Sequence, residues 1–346
     1  MPTLHAEPLK QIGSQIFAAA GATAYEARVV SDSLVEANLA GHDSHGILRI
    51  PEYVGWMEQN LVSIGAHIRV VQEADSVAVV DGGWGFGQVV GREAMEVAIR
   101  KAEQAGIGTV SASQCCHIGR VGDYPMMAAA RGMAAVMFVN THGAGKLVAP
   151  WGGKDRRLSA NPISIAIPRK TGTPILVDIS TSAIAEGKVR GMLNRKVPVP
   201  PGSIIDTDGN PTTDASKFYG PPVGALLPFG GHKGFALGLV TDILAGALSG
   251  AGCSRKDAGR VGNAFLVFVI DIGRVRGEQP FYADVEQLVE YIKSSALAPG
   301  STEILIPGEP EALEKERRQR TGIPVDEVTW SQISEVGRKY GVSVPQ

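Results

Sequence analysis

Residues 68–113 read IRVVQEADSVAVVDGGWGFGQVVGREAMEVAIRKAEQAGIGTVSAS, and this stretch decides the fold class. Its first part alternates β-branched and polar residues and ends in glycines, which predicts a strand or hairpin. The part GREAMEVAIRKAEQAG has the apolar spacing of a helix and stops at Gly106, and GIGTVSAS again has the texture of a strand. A strand, a helix and a second strand in succession predict an α/β protein.

The pattern continues outward from this stretch in both directions. AAVMFVNT, SIAIP, ILVDIS and NAFLVFVIDI are predicted strands, and KGFALGLVTDILAGALSG is a predicted apolar helix. Both ends of the chain have helical spacing instead, as in LKQIGSQIFAAAGA near the start and EALEKERRQRTG near the end. We therefore predict an α/β domain over 71–289 and a helical domain in which residues 1–70 pack with 290–346.

The glycine-rich segment VAVVDGGWGFGQ does not fit the dinucleotide fingerprint of a Rossmann fold. Gly83, Gly85 and Gly87 are spaced G-x-G-x-G, which misplaces the glycine needed for close packing of helix on sheet. No acidic residue closes the following strand, where a ribose would be bound. We expect a turn and a tight helix start here.

The composition excludes several classes of protein. A chain of 346 residues exceeds the size of a single core, so two or more packed units are expected. The formal net charge of −2 gives no field strong enough to favour nucleic acid or an anionic membrane. We find no apolar run long enough for a membrane span and no signal peptide in MPTLHAEPLKQIG. Cys115, Cys116 and Cys253, an odd set without framework spacing, favour reduced thiols in the cytoplasm.

Histidines beside glycines indicate a site. Of the seven histidines, six lie within two residues of a glycine; His67 stands in an unremarkable context, and the five candidates are His42, His45, His117, His142 and His232. Glycine lets the backbone approach a ligand, and imidazole titrates near neutral pH. Any one of the five is as easily structural, but together they predict a functional cluster.

The densest of these segments is GHDSHGILRIPEY, residues 41–53. If a helix resumes shortly after the first histidine, His45, Arg49 and Tyr53 fall on one face. An arginine can clamp a carboxylate while a histidine exchanges a proton with the adjacent oxygen, which indicates a 2-keto acid or 2-hydroxy acid. Pro51 must kink this helix or mark its start.

Two other interpretations of this segment stay open. One is a helix with solvated polar residues. The other is a metal site, because His42 and His45 have ligand spacing with Asp43 between them. The neighbouring sequence offers no third ligand, so we expect no resident metal.

Two glycine-flanked segments are candidate anion sites. In HIGRVGDY the backbone N–H groups of 119–121 precede a predicted helix and could receive a phosphate, with Arg120 adding charge. In GGHKG, His232 and Lys233 stand at the start of an apolar helix, where the helix dipole favours an anion. A simple turn explains each of them equally well.

Taken together, several ordered segments resemble one known family. These segments, over 41–311, are GHDSHGILRIPEY, HIGRVGDY, VNTHGAGKLVAPWGG, SANPI, VDISTSAIAEGKV, GNPTTD, LLPFGGHKGFALGLVTDILAGALSGA and ILIPGEPE. They resemble the malate/L-lactate dehydrogenase family of the second type, which is unrelated to the Rossmann-fold lactate and malate dehydrogenases. ANLAGHDSHGI and KVPVPPGSIIDTDGNPTT are most similar to the hydroxycarboxylate dehydrogenase branch.

The resemblance implies both a fold and a reaction. The implied fold is a homodimer of α/β subunits, each with a non-Rossmann mixed-sheet nucleotide-binding core and a helical layer formed by both chain ends. The implied reaction is metal-free hydride transfer between NAD(H) and a 2-hydroxy or 2-keto acid. An NADPH-dependent cyclic imine reductase of the piperideine-2-carboxylate type is the alternative within that family. A metal-dependent hydrolase or lyase built on His42 and His45, and a non-catalytic nucleotide-binding protein, are alternatives from other classes.

The resemblance also implies roles for individual residues. His117 and His45 would be catalytic, with His117 exchanging the proton, and Ser44, Arg49 and Tyr53 would line the substrate pocket. Arg49 varies among the branches. The implied cofactor-binding residues are His45, Gly119, Arg120, Val121, Thr141, Val177, Asp178, Ile179, Ser180, His232, Lys233, Gly308, Glu309, Pro310 and Glu311.

The strand end ILVDISTS bears on the choice of cofactor. The DMATS-like segment of the family appears here as DISTS, which preserves the aspartate, Asp178. A carboxylate near a ribose would bind its hydroxyls and repel a 2′-phosphate, so we expect NAD, with NADP possible. Asp178 could equally be a helix cap.

Overall fold

The computed structural model describes residues 3–345 of the chain. Its helices are α1 (Ala6–Ala19), α2 (Ala24–Leu39), α3 (Ile50–Glu58), α4 (Gly87–Ala105), α5 (Asp123–Ala129), α6 (Glu186–Arg195), α7 (Ala215–Tyr219), α8 (His232–Asp242), α9 (Ile272–Val275), α10 (Glu278–Lys293), α11 (Glu309–Thr321) and α12 (Glu327–Lys339). Its strands are β1 (Thr3–Leu4), β2 (Arg69–Glu73), β3 (Val77–Asp81), β4 (Ile107–Cys115), β5 (Met133–Asn140), β6 (Ile163–Ile167), β7 (Ile175–Ile179), β8 (Ile204–Ile205), β9 (Pro211–Thr212), β10 (Ala225–Leu226), β11 (Asn263–Asp271) and β12 (Ile323–Pro324).

A seven-stranded sheet in the order β2-β3-β4-β11-β5-β6-β7 forms the core of the described residues. β3 and β4 run parallel, and every other neighbouring pair is antiparallel. The Rossmann fold requires a mostly parallel doubly wound sheet. The prediction of a non-Rossmann, mixed-sheet α/β protein is therefore confirmed.

The central strand β11 explains why this sheet is stable. Phe265, Val267 and Val269 alternate along it and are buried against the side chains of α4 and the neighbouring strands. α4 packs directly on β4. The two elements are so close at Gly108 that a Cβ there would collide with the carbonyl of Ala98. The βαβ unit read from residues 68–113 is thus present as β3, α4 and β4.

Both chain ends contribute to one helical layer. β1 pairs with β12, α11 lies against α2, and α12 lies against α3. Phe17 and Tyr53 from the N-terminal helices share a hydrophobic cluster with Trp330 and Ile333 from α12. The helical layer is as expected, and the domain boundaries at residues 70 and 290 remain a prediction.

The remaining predicted elements are close to those observed. The apolar helix α8 continues into a π-helical turn, Ile243–Ala247, and the stretch between β7 and α8 forms the small sheet β10-β8-β9. No helix among residues 3–345 is both long and apolar enough to cross a membrane.

Candidate active site

The segment GHDSHGILRIPEY adopts a different shape from the single helix that its spacing suggested. It forms two 3-10 turns, Asp43–His45 and Ile47–Arg49, before α3 begins. Gly46 separates the turns in an extended conformation, and a Cβ there would collide with the side chain of Asn38. The predicted helical face of His45, Arg49 and Tyr53 is therefore wrong. Pro51 lies in the first turn of α3, so it marks the start of the helix.

Two polar residues far apart in sequence hold these turns in place. Asn38 accepts the N–H of Ile47 at 2.8 Å and donates to Asp43 at 2.6 Å. Arg318, buried on α11, binds both carboxylate oxygens of Asp43 at 2.5 and 3.0 Å and the carbonyl of Asn38 at 2.7 Å. The C-terminal helix therefore fixes the N-terminal histidine segment, which sequence reasoning did not find.

The turns bring His45 against His117, which follows β4. The two ring centroids lie 5.5 Å apart with the planes 20° from parallel. Both residues are half-buried, so the rings are held by the protein but are not sealed off from a ligand. The two histidines predicted to be catalytic are thus neighbours.

Nδ1 of His117 is hydrogen-bonded to the phenol of Tyr53. The hydroxyl of Tyr53 and Nδ1 of His117 share a hydrogen bond of 2.6 Å, and Nε2 of Gln88 donates to the same hydroxyl at 3.1 Å. Tyr53 and Gln88 are both buried. Burial raises the pKa of Tyr53, so the phenol keeps its proton. Tyr53, which was predicted to line the substrate pocket, is hydrogen-bonded to His117 in this structure.

Ser44 and Arg49 surround His45. The hydroxyl of Ser44 and Nδ1 of His45 share a hydrogen bond of 2.9 Å. Arg49 donates from Nε to the carbonyl of Ser44 at 2.9 Å and pairs with Glu52 at 2.6 Å. The guanidinium is therefore fixed by Ser44 and Glu52, and its charge lowers the pKa of both histidines.

Burial and nearby cations keep both rings neutral. Burial, followed by the charges of Arg49 and other neighbours, lowers the pKa of His45 to about 3. Burial, followed by Arg49 and His45, also holds the pKa of His117 well below its usual value of 6.5. A neutral imidazole carries one unprotonated nitrogen, and the hydrogen bonds of the ring determine which nitrogen that is.

The backbone around His117 depends on close packing. Gly87 opens α4 directly against the carbonyls of Cys116 and His117, and a Cβ there would collide with both. The predicted turn and tight helix start in GGWGFGQ therefore position His117. Asn263 accepts the N–H of Ile118 at 3.0 Å and donates to the carbonyl of Asn140 at 2.9 Å, which joins the ends of β4 and β5.

Three of the expected cofactor segments meet beside this pair. The N–H of Gly122 donates to Asp178 at 2.9 Å, which ties the turn 119–122 to the end of β7. The N–H of Leu176 donates to the carbonyl of Pro307 at 2.9 Å, which brings the loop before α11 to the same strand. Glu311 on α11 lies 3.7 Å from Nε2 of His42, so the start of α11 also adjoins the GHDSHG turns.

One buried arginine, Arg120, lies between two carboxylates near the turn 119–122. Arg120 is buried, pairs with Asp123 at 3.0 Å and lies 3.6 Å from Asp178, and its Nε has no hydrogen-bond partner. Burial raises the pKa of Asp123 to about 6 and also raises that of Asp178. The carboxylate of Asp178 thus anchors the turn, in addition to any contact with a ribose.

The remaining predicted cofactor residues are Thr141, His232 and Lys233. Within residues 3–345, His232 and Lys233 are exposed at the start of α8 and make no hydrogen bond to His45 or His117. The N–H of Phe229 donates to Thr181 at 3.1 Å, which places this helix start beside the segment that follows β7. Thr141 directly follows β5, and its hydroxyl donates to the carbonyl of Ala144.

The alternative metal site was proposed at His42 and His45. In the described part of the chain, no group of three or more histidine, cysteine, aspartate or glutamate side chains could hold a metal ion. His142, one of the five glycine-flanked histidines, accepts the N–H of Gln114 at 3.0 Å and lies against Trp84, which is a structural role.

Comparison with known proteins identifies the family. The model of the family described as malate/L-lactate dehydrogenase matches residues 4–334. The chain belongs to this family. It is therefore a hydroxy-acid dehydrogenase, an oxidoreductase whose family implies a nicotinamide cofactor.

Relatives of this dehydrogenase match over nearly the whole chain. Hydroxycarboxylate dehydrogenase B of Escherichia coli is 39% identical over 342 residues, covering 97% of this chain and 94% of the relative. L-lactate dehydrogenase of Cupriavidus necator is 38% identical and covers 97% of each chain. The structure of sulfolactate dehydrogenase from Methanocaldococcus jannaschii superposes with a TM-score of 0.90 at 34% identity, covering 99% of this chain and 98% of that one.

Proposed function

We propose that this dehydrogenase interconverts a 2-hydroxy acid and its 2-keto acid with NAD(H), and that His117 moves the proton. One observation carries the proposal: a neutral His117 is stacked on His45 and hydrogen-bonded to Tyr53, and the positive charge of Arg49 lowers its pKa. A 2-hydroxy acid needs these groups, namely a base for its hydroxyl and a cation for the adjacent carboxylate.

In the oxidative direction, Nε2 of His117 accepts the hydroxyl proton while the hydride leaves carbon 2. In reduction the same atom returns the proton to the developing alkoxide. When bound, the nicotinamide accepts or supplies the hydride. Arg49 orients the carboxylate, and His45, anchored by Ser44, closes one side of the pocket against the ring of His117.

The residues around the turn 119–122 fit a dinucleotide. Nε of Arg120 is a buried cationic donor that makes no hydrogen bond and lies 3.6 Å from Asp178, and such a donor suits an incoming phosphate. The turn leads into α5, and the start of α11 adjoins it through β7. We propose that 119–121, 177–180 and 308–311 hold the cofactor, with Thr141, His232 and Lys233 completing the site.

We propose NAD as the preferred cofactor. Asp123, Asp178 and Glu311 lie close to one another around a single buried arginine, Arg120. This balance of charge disfavours the additional 2′-phosphate of NADP.

We propose a cytoplasmic homodimer. α8 and its π-helical turn expose a run of apolar side chains, and a soluble monomer seldom exposes so many together. They are Leu237, Leu239, Val240, Ile243 and Leu248. A second copy of the chain is the proposed partner on this face. The cytoplasm agrees with the free thiols of Cys115 and Cys116.

The proposed function is tested by a panel of 2-keto acids assayed with NADH and NADPH in parallel, following absorbance at 340 nm. Pyruvate, oxaloacetate and sulfopyruvate cover apolar, carboxylate and sulfonate side chains, and piperideine-2-carboxylate tests the cyclic imine alternative. We expect turnover of at least one keto acid, faster with NADH, that survives strong chelation of metals. Turnover of the imine alone, loss of activity on chelation, or cofactor binding without any turnover would refute the proposal.

A further inference from the structure

Gln88 is a buried amide directly behind the candidate catalytic pair. It lies on the first turn of α4, and its Nε2 donates to the hydroxyl of Tyr53 at 3.1 Å. Its other amide atom, Oε1, is buried and has no hydrogen-bond partner. A buried polar atom without a partner is costly, so its presence in a site calls for an explanation.

The hydrogen bonds that join His117, Tyr53 and Gln88 require a consistent placement of hydrogen atoms. A neutral imidazole that accepts a proton at Nε2 must carry its own hydrogen on Nδ1. Nδ1 of His117 would then donate to the oxygen of Tyr53 over the 2.6 Å contact. The hydrogen of that phenol must in turn point elsewhere, and Gln88 is the other side chain bonded to it.

The orientation of the amide decides which arrangement forms. With Nε2 of Gln88 facing Tyr53, the phenol sends its hydrogen to Nδ1 of His117, so the imidazole keeps its proton at Nε2 and cannot accept another. With Oε1 facing Tyr53, every hydrogen reverses direction and Nε2 of His117 is free. A half-turn of the amide interchanges the two, and in the present orientation it breaks no bond made by Oε1.

The surroundings of Gln88 accommodate that half-turn. Gln88 lines a cavity of about 160 Å³, which is large enough for water. The carboxylates of Asp32, Glu36 and Asp123 line the same cavity. The guanidinium of Arg92 lines it as well. An NH₂ group that faced this cavity would find acceptors there, directly or through water.

We propose that Gln88 is a positioning residue whose amide orientation, relayed through the Tyr53 hydroxyl, selects which nitrogen of His117 carries the proton. In the form that oxidises a hydroxy acid, Oε1 of Gln88 accepts from Tyr53, and Tyr53 accepts from Nδ1 of His117. This inference rests on the proposed role of His117 as the acid/base.

The test compares Gln88→Met, which has no polar atom, with Gln88→Glu, which keeps an acceptor. In Gln88→Met the phenol hydrogen has only Nδ1 of His117 to bond to. We expect kcat for oxidation of the best hydroxy acid to fall by roughly tenfold to a hundredfold, with KM and the NADH dissociation constant little changed. We expect Gln88→Glu at mildly alkaline pH to retain most of the activity. Gln104→Met, on the exposed end of α4, is the matched control and should match the wild type.

Nitrogen-15 NMR of histidine-labelled protein saturated with NAD⁺ reads the protonated nitrogen directly. We expect His117 to populate the Nδ1–H form in the wild type and to move to the Nε2–H form in Gln88→Met. An unchanged kcat in that variant, or a wild type fixed as Nε2–H, overturns the inference; the second result holds even if the variant fails to fold. If the wild type oxidised no hydroxy acid, the proposed function would fail, and the NMR result would still decide the role of Gln88.

Discussion

His117 is constrained at one ring nitrogen and at its ring face, and each constraint has a separate function. The contact from Tyr53 to Nδ1 fixes the direction of the ring, and the stacking of His45 fixes its plane. The remaining nitrogen, Nε2, is thereby left for substrate. Sequence spacing identified both histidines but could not show that Tyr53 lies behind the ring, since 64 residues separate the phenol from His117.

Removing the phenol oxygen tests the first constraint. Tyr53→Phe keeps the buried ring and deletes the hydrogen bond to Nδ1. We expect kcat to fall by about tenfold to a hundredfold, with a smaller change in KM, because the proton acceptor loses its orientation. Steady-state kinetics measure this, and a kcat equal to that of the wild type would show that Tyr53 does not orient the base.

The low pKa of His117 predicts the pH dependence. A histidine accepts a proton only in its neutral form, which predominates above its pKa. Because that pKa lies well below 6.5, kcat/KM for oxidation should stay level as pH falls from about 8 through 6.5.

Arg49 contributes to that low pKa, so Arg49→Gln should raise it and move the acidic limb of the profile to higher pH. The position of the limb is the readout, because the lost carboxylate contact lowers the absolute rate as well. Arg190→Gln is the control: that residue pairs with Glu186 at the surface. A limb that shifts in both variants, or in neither, contradicts the account.

At the scale of elements, the 3-10 turns of GHDSHG depend on α11. Arg318 supplies the bidentate pair to Asp43 and a bond to the carbonyl of Asn38. Replacing Arg318 by Met leaves the Asn38 carbonyl without this donor and leaves Asp43 with only its hydrogen bond from Asn38. Urea unfolding should show a loss of about 1–3 kcal/mol in stability, and kcat should fall as His45 becomes less ordered.

Arg317 provides the matched comparison for that substitution. It lies one residue earlier on α11 and pairs with Glu314 in an exposed position. Arg317→Met should leave both the free energy of unfolding and kcat unchanged, because exposed pairs contribute little. Equal effects of the two substitutions would mean that α11 does not act through Asp43.

The strands and longer helices could be predicted from sequence because their signals are local. β11 and α4 carry apolar patterns that need no knowledge of their neighbours. The 3-10 turns could not be predicted, because the backbone conformation around Gly46 depends on Asn38 and on the C-terminal helix α11. Gln88 and Asn263 belong to no recognisable motif, and only their contacts with Tyr53 and Ile118 reveal their roles.

At the scale of the whole molecule, strand order and assembly depend on contacts between distant residues. β11 pairs with β4 and β5 across more than a hundred residues of chain, which no local pattern indicates. The helical layer was expected from the resemblance to the family, and the pairing of β1 with β12 agrees with it. The exposed apolar face of α8 is the whole-molecule feature with the clearest consequence.

A charge on that face should disrupt the proposed dimer. Leu239→Asp places a carboxylate where we propose that a second copy is buried, so light scattering should report half the mass of the wild type. Val328→Asp, at an exposed position on α12, should leave the mass unchanged. A wild-type monomer, or a Leu239→Asp protein with the mass of the wild type, would contradict the proposed interface.

The central claim is hydride transfer from a 2-hydroxy acid with His117 as the base. The most direct measurement uses a 2-hydroxy acid deuterated at carbon 2, with NAD⁺, in the wild type and in His117→Ala. We expect the deuterium at C4 of the nicotinamide in the wild-type product. In His117→Ala we expect turnover lower by about a hundredfold or more, with NADH binding retained. Failure to find the deuterium there, or near-normal turnover in His117→Ala, would contradict the account.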